Sequence, residues 1–166
     1  MQPPKDFFRP LALGAPMPVR EVPARPSRMI HFFDPSNEKM AAKVPDIAKK
    51  ADVVLGNLED AISADKKEAA REGLVSIAQA TDFGETQLWT RINSLDSPWC
   101  LPDLTRLVPA IGHKLDVIMV PKVEGAEDIH YIDRLLAQLE AQAGLERPIL
   151  VHALLETARG VANVEE

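Results

Sequence analysis

Cysteine occurs once in the 166 residues, at Cys100, so the chain cannot close an intrachain disulfide. It has no excess of positive charge. Nineteen Lys and Arg stand against twenty-five Asp and Glu, a net charge of -6, which lacks the concentrated basic footprint that a phosphate backbone demands. Nucleic acid is therefore not expected as a partner. No run of about 18 apolar residues is present to span a bilayer, so no membrane partner is expected either. A secretory signal needs an unbroken apolar core, and Leu11 to Val19 is interrupted by Pro16 and Pro18. Internal repeats are also missing. These absences point to the cytoplasm.

What is present is the balance of an ordinary globular domain, 46% hydrophobic and 27% charged. Residues 1–27 differ from the rest. They hold Pro3, Pro4, Pro10, Pro16, Pro18, Pro23 and Pro26, and proline fixes φ and removes a backbone donor, so an extended arm is expected there.

From Arg28 onward short apolar runs alternate with longer amphipathic stretches. Strands are predicted over 29–33, 53–58, 88–92, 117–120 and 149–155. Helices are predicted over 37–50, where Pro45 should kink or split the pattern, and over 65–81, 101–111 and 126–143. The last has Ile129, Ile132, Leu136 and Leu139 on one stripe, Glu127 and Asp128 at its positive end, and Gly144 to stop it. Five β-α alternations imply a parallel sheet, either open and doubly wound or part of a (β/α) barrel.

The charges favour the barrel. Glu59 and Asp60 follow the second apolar run, Arg91 the third, Lys122 and Glu124 the fourth, and Glu156 the fifth. In parallel α/β folds the carboxyl ends of the strands lie side by side at one mouth, so these residues should converge there. The fold expected is α/β, the N-terminal part of a (β/α)8 TIM barrel that stops after about five units, with residues 28–166 continuing into a longer protein.

The runs NLEDAISADKKEAAR (57–71), WTRINSLDS (89–97), VPKVE (120–124) and LLETARGVANVEE (154–166) carry a further signal. In this order and spacing they resemble the HpcH/HpaI aldolase and citrate-lyase β-subunit-like family, particularly its malyl-CoA/β-methylmalyl-CoA lyase branch. The resemblance implies a lyase that cleaves a 3-hydroxyacyl-CoA of the malyl-CoA, β-methylmalyl-CoA or citramalyl-CoA type to an acyl-CoA and a 2-keto acid such as glyoxylate. It implies Mg²⁺, or Mn²⁺ in its place, CoA as part of the substrate, and a homo-oligomer, trimer or hexamer. A thioesterase on the same scaffold and a catalytically silent binding subunit are the alternatives.

On this resemblance Arg91 is the catalytic cation, with Glu59 and Asp60 supporting the site. Arg91, Glu156, Phe33 and Lys122 are the substrate-binding candidates. Glu156 is a metal ligand, and the second ligand is expected beyond residue 166. The chain departs from the family pattern at 33–37, which lacks a glycine, and at Asn57, where relatives commonly have aspartate. For Glu59 and Asp60 the competing expectation is pairing with Lys66, Lys67 or Arg71. His152 and His31 are expected in the core, and Cys100 as a packed thiol.

Overall fold

The computed structural model describes residues 12–17, 19, 25 and 27–165. The proline-rich arm falls largely outside these residues. Five parallel strands form one sheet: β1 (Ile30–Phe33), β2 (Val53–Asn57), β3 (Gln87–Arg91), β4 (Leu115–Val120) and β5 (Leu150–Ala153). Their order in space is their order in sequence. A doubly wound sheet reverses that order at a switch point, whereas the staves of a (β/α) barrel do not.

The expected 37–50 helix is split into α1 (Glu38–Ala41) and α2 (Val44–Ile47), with Pro45 in the first turn of α2, where its missing N–H leaves no intrahelical bond unmade. Asn37 caps α1, accepting from the Lys39 and Met40 N–H groups. The longer helices α3 (Lys67–Ala80), α4 (Cys100–Ile111) and α5 (Ala126–Ala143) match the predicted stripes. Gly144, at φ 64°, ends α5 in the left-handed conformation that glycine adopts without a Cβ clash. A short α6 (Ala158–Ala162) comes after β5.

Alternation along the strands divides the interior in two. Phe33, Val54, Leu88, Ile118 and Val120 pack with Leu74 of α3, Leu104 and Leu107 of α4, and Ile132 and Leu136 of α5. Val53, Leu55, Trp89, Val117 and Met119 form a separate cluster on the opposite face, to which no helix among the described residues contributes. Helices on one face and strand side chains alone on the other are the layering of a barrel wall. β2 is buried throughout, as a central parallel strand should be. At Gly56 a Cβ would come within 2.6 Å of Leu74, so α3 sits close against β2.

The layering places two side chains away from where they were expected. Phe33, expected at the substrate, is 2% exposed in the helix-side core with Val44 of α2 and Leu74 of α3. His152 is not in the core but exposed on the inner face, its ring 5.3 Å from that of Trp89. Cys100 is the packed thiol expected, and burial pushes its pKa up to about 11.

Candidate functional site

The charged strand ends do converge. Asn57 and Arg91 are register partners on β2 and β3, and the Arg91 Nε–H donates to Asn57 Oδ1 at 2.8 Å. The same oxygen accepts the Glu59 N–H at 3.1 Å, so one amide fixes both the guanidinium and the turn after β2. Arg91 Nη2 lies 3.3 Å from Glu59 Oε2, an ion pair without a well-aligned hydrogen bond. The Arg91 and Glu59 side chains are only 14% and 4% exposed. The Phe32 ring lies 5.9 Å from the guanidinium carbon, giving it a cation–π neighbour.

Beyond β4, Lys122 Nζ donates to Glu59 Oε1 at 2.6 Å and to Asp60 Oδ1 at 3.2 Å. Glu59, then Asp60, hold its ammonium above the usual lysine range. The Lys122 backbone N–H donates to Glu156 Oε1 at 3.1 Å, joining β4 to the end of β5. The helix that follows Glu156 is tied down on both sides of the 122–124 loop contact. Thr157 caps α6 through the Gly160 N–H at 2.9 Å, and Asn163 Nδ2 donates to the Glu124 carbonyl at 2.8 Å. A Cβ at Gly160 would collide with the Val123 carbonyl, so only glycine lets α6 approach the 122–124 loop this closely.

A second layer lies behind the mouth. Lys67 donates to the Leu58 and Glu59 carbonyls at 2.7 and 2.9 Å, and its burial lowers its pKa. Fully buried Asp103 accepts from Arg71 Nε at 3.0 Å and from the Asn93 N–H and Nδ2 at 2.9 and 2.7 Å. Arg71 and Lys67 are thus committed elsewhere, and the partners of the Glu59 and Asp60 carboxylates are Lys122 and Arg91 instead.

The HpcH/HpaI aldolase/citrate lyase family model matches residues 28–166. The chain belongs to that family. It is 58% identical over 161 residues to the malyl-CoA/β-methylmalyl-CoA/citramalyl-CoA lyase of Chloroflexus aurantiacus, covering 97% of this chain and 46% of that one. Among solved structures, the protein CitE of Mycobacterium tuberculosis in complex with magnesium and acetate superposes with a TM-score of 0.62 at 27% identity, over 82% of this chain and 48% of that one. The same protein in complex with magnesium, acetoacetate and coenzyme A gives 0.59 at 28% identity, over 82% and 42%. The chain spans about half the length of the curated relatives it matches.

Within this HpcH/HpaI chain, Arg91, Glu59, Asp60, Lys122 and Glu156 lie in one connected group, and Phe33 lies outside it. Glu124 turns away to Arg159, at 3.5 Å. Sequence reading notes Asn57 only as a departure; its parity with Leu55 and its place opposite Arg91 are the signal that it faces the site. Among the described residues no group of three His, Cys, Asp or Glu could hold a metal. Glu59 and Asp60 are committed to cations, whereas the Glu156 carboxylate is exposed and its one bond, from the Lys122 N–H, engages Oε1 alone. Glu156 fits a hard divalent cation as one ligand, since Mg²⁺ accepts one or two carboxylates and keeps its waters.

Proposed function

We propose that this chain forms part of the mouth of a metal-dependent carbon–carbon lyase acting on a 3-hydroxyacyl-CoA of the malyl-CoA, β-methylmalyl-CoA or citramalyl-CoA type. The products are an acyl-CoA and a 2-keto acid such as glyoxylate. The observation that carries this reading is the unbroken series of polar contacts from Arg91 through Glu59 and Lys122 to Glu156, placed where four strand ends meet. Membership of the family and the name of the Chloroflexus relative support it. A cytoplasmic homo-oligomer is part of the same proposal; no helix among the described residues is long and apolar enough to cross a membrane.

In the reaction the C2–C3 bond of the thioester substrate breaks. Its electron pair moves onto the thioester carbonyl as an enolate, the 3-hydroxyl loses its proton as its oxygen becomes the keto acid's carbonyl, and C2 is then protonated. Arg91 supplies a fixed cation for the enolate oxygen and needs no proton transfer to do so. Asn57 and Glu59 hold the guanidinium in place beforehand, so little reorganisation accompanies the growth of charge. Asp60 keeps Lys122 turned toward Glu59. Glu156 would hold Mg²⁺, or Mn²⁺, which when bound supplies Lewis-acid polarisation of the keto acid's oxygens.

Glu156→Gln in the intact protein tests this. Glutamine keeps the shape and removes the charge, so the Mg²⁺ needed for half-maximal cleavage of malyl-CoA should rise about 10- to 100-fold, with activity recovered at high Mg²⁺. Unchanged metal dependence removes Glu156 from the ligand set. Release of free CoA without a keto acid replaces the lyase with a thioesterase.

A further inference from the structure

Lys122 has two features that a surface lysine does not need. Among the described residues it is the one non-glycine residue with positive φ, at 54°, a conformation that crowds an L side chain. Its side chain is 43% exposed, yet its ammonium turns inward to a carboxylate whose side chain is 4% exposed. From this left-handed backbone the N–H reaches Glu156 Oε1 and the side chain runs back across the mouth to Glu59.

Glu59 consequently stands between two cations, with Oε1 on Lys122 at 2.6 Å and Oε2 on Arg91 at 3.3 Å. Without the ammonium, both oxygens are free to swing onto Arg91 and form the two-pronged pair that arginine and carboxylate favour. The guanidinium would then be more fully neutralised and less able to attract a third charge.

We propose that Lys122 is a positioning residue: its ammonium holds Glu59 half away from Arg91, keeping that guanidinium available to an oxyanion, while its backbone N–H orients Glu156. This rests on the reading of Arg91 and Glu156 given above, and it replaces the expectation that Lys122 binds substrate. Two of the three ammonium protons are already committed to Glu59 and Asp60.

The test uses the intact protein with Lys122→Met, Lys122→Gly and Lys122→Arg. Methionine and glycine keep the backbone N–H and remove the charge; glycine also accepts the backbone without strain. Turnover of malyl-CoA should fall about 10- to 100-fold in both with KM little changed, and Arg should recover part of it. Mn²⁺ affinity, read by electron paramagnetic resonance without substrate, should be unchanged. A raised KM at constant turnover, a loss of Mn²⁺ affinity, or wild-type kinetics overturns the proposal.

The Glu59→Gln/Lys122→Met double variant removes the buried carboxylate together with its ammonium partner and guards against misfolding of the single one, which leaves that carboxylate without the ammonium. Because Lys122 acts through Glu59, the double variant should turn over no more slowly than Glu59→Gln alone, and additive losses overturn the proposal. If the wild-type protein shows no lyase activity, the functional reading fails separately. The crystal structure of Lys122→Met then decides, with both Glu59 oxygens on Arg91 supporting the proposal and an unmoved carboxylate refuting it.

Discussion

The two ends of the sheet use their polar side chains differently. At the amino ends of the strands the polar groups serve backbone even where, as at Asp52 with Arg28 and Asp116 with Arg147, they also hold an ion pair. Asp52 accepts the Met29 N–H at 3.0 Å, and Thr86 donates to the Ala51 carbonyl at 2.8 Å. Asp116 accepts the Leu88 N–H at 2.9 Å, Lys114 gathers the Ala78 and Thr81 carbonyls at the end of α3, and Glu140 accepts the Ile149 N–H at 2.7 Å. These bonds close helix and strand termini whose groups would otherwise lack partners. At the carboxyl ends the side chains hold each other: Arg91 to Asn57 and Glu59, and Lys122 to Glu59 and Asp60, the partners standing far apart in sequence. The first pattern secures a fold, and the second is the one on which the proposed chemistry rests.

Position alone does not decide which pattern a residue adopts, and Asp103 is the case that shows it. It lies at the carboxyl side of β3, yet it serves backbone, accepting the Asn93 N–H as well as Arg71. Asp103→Ala should behave like damage at the amino end. It leaves the Arg71 guanidinium buried without its carboxylate, and breaking such a pair removes about 3–5 kcal/mol of stability. Denaturant unfolding of the intact protein would measure the loss. A variant that stays stable but loses only activity would place Asp103 with the mouth instead.

Arg91→Lys should do the reverse. Lysine keeps the positive charge but loses the planar fork that reaches Asn57 and Glu59 together. If Arg91 stabilises charge that grows in the transition state, turnover should fall about 10²- to 10³-fold, equivalent to about 2.7–4 kcal/mol, with little change in KM or in unfolding midpoint. Steady-state kinetics on malyl-CoA beside a thermal melt separates the two effects. A raised KM at constant turnover would give Arg91 a binding role alone, and a lowered midpoint at full activity would dissolve the contrast between the two ends.

Much of this division is legible in the sequence. The five strands and the long helices are read from apolar periodicity, which is a local property, and the convergence of Glu59, Arg91, Lys122 and Glu156 comes from parallel topology once the runs are accepted as strands. Face assignment is harder. Phe32 and Phe33 are adjacent and chemically alike, and only register decides that Phe32 reaches the guanidinium while Phe33 enters the helix-side core. The partners of Glu59 escape a sequence reading because Lys66, Lys67 and Arg71 are near in sequence, whereas Lys122 is near only in space. Asn57 reads as a lost charge, when its oxygen is the atom that bridges two elements.

The smallest effect expected at the amino end comes from Glu140, and its sign depends on pH. Burial, at 5% exposure, raises its pKa above the ordinary carboxylate range, with the Ile149 N–H opposing this. The folded chain therefore holds the proton more tightly than the unfolded chain. Below about pH 4.3 both are protonated and the group takes nothing from stability. As pH rises from there toward the raised folded value, the unfolded chain ionises first and stability falls. Glu140→Gln cannot ionise, and its amide oxygen still accepts the Ile149 N–H. The variant should match the wild type at low pH and gain on it through this window, by about 1 kcal/mol at most because the charged acceptor makes the stronger bond. Unfolding midpoints at a series of pH values would show the trend, and turnover should be unchanged throughout. If the wild type gains on the variant as pH rises, the Ile149 bond outweighs desolvation; if turnover falls with an unmoved midpoint, the amino end reaches the chemistry after all.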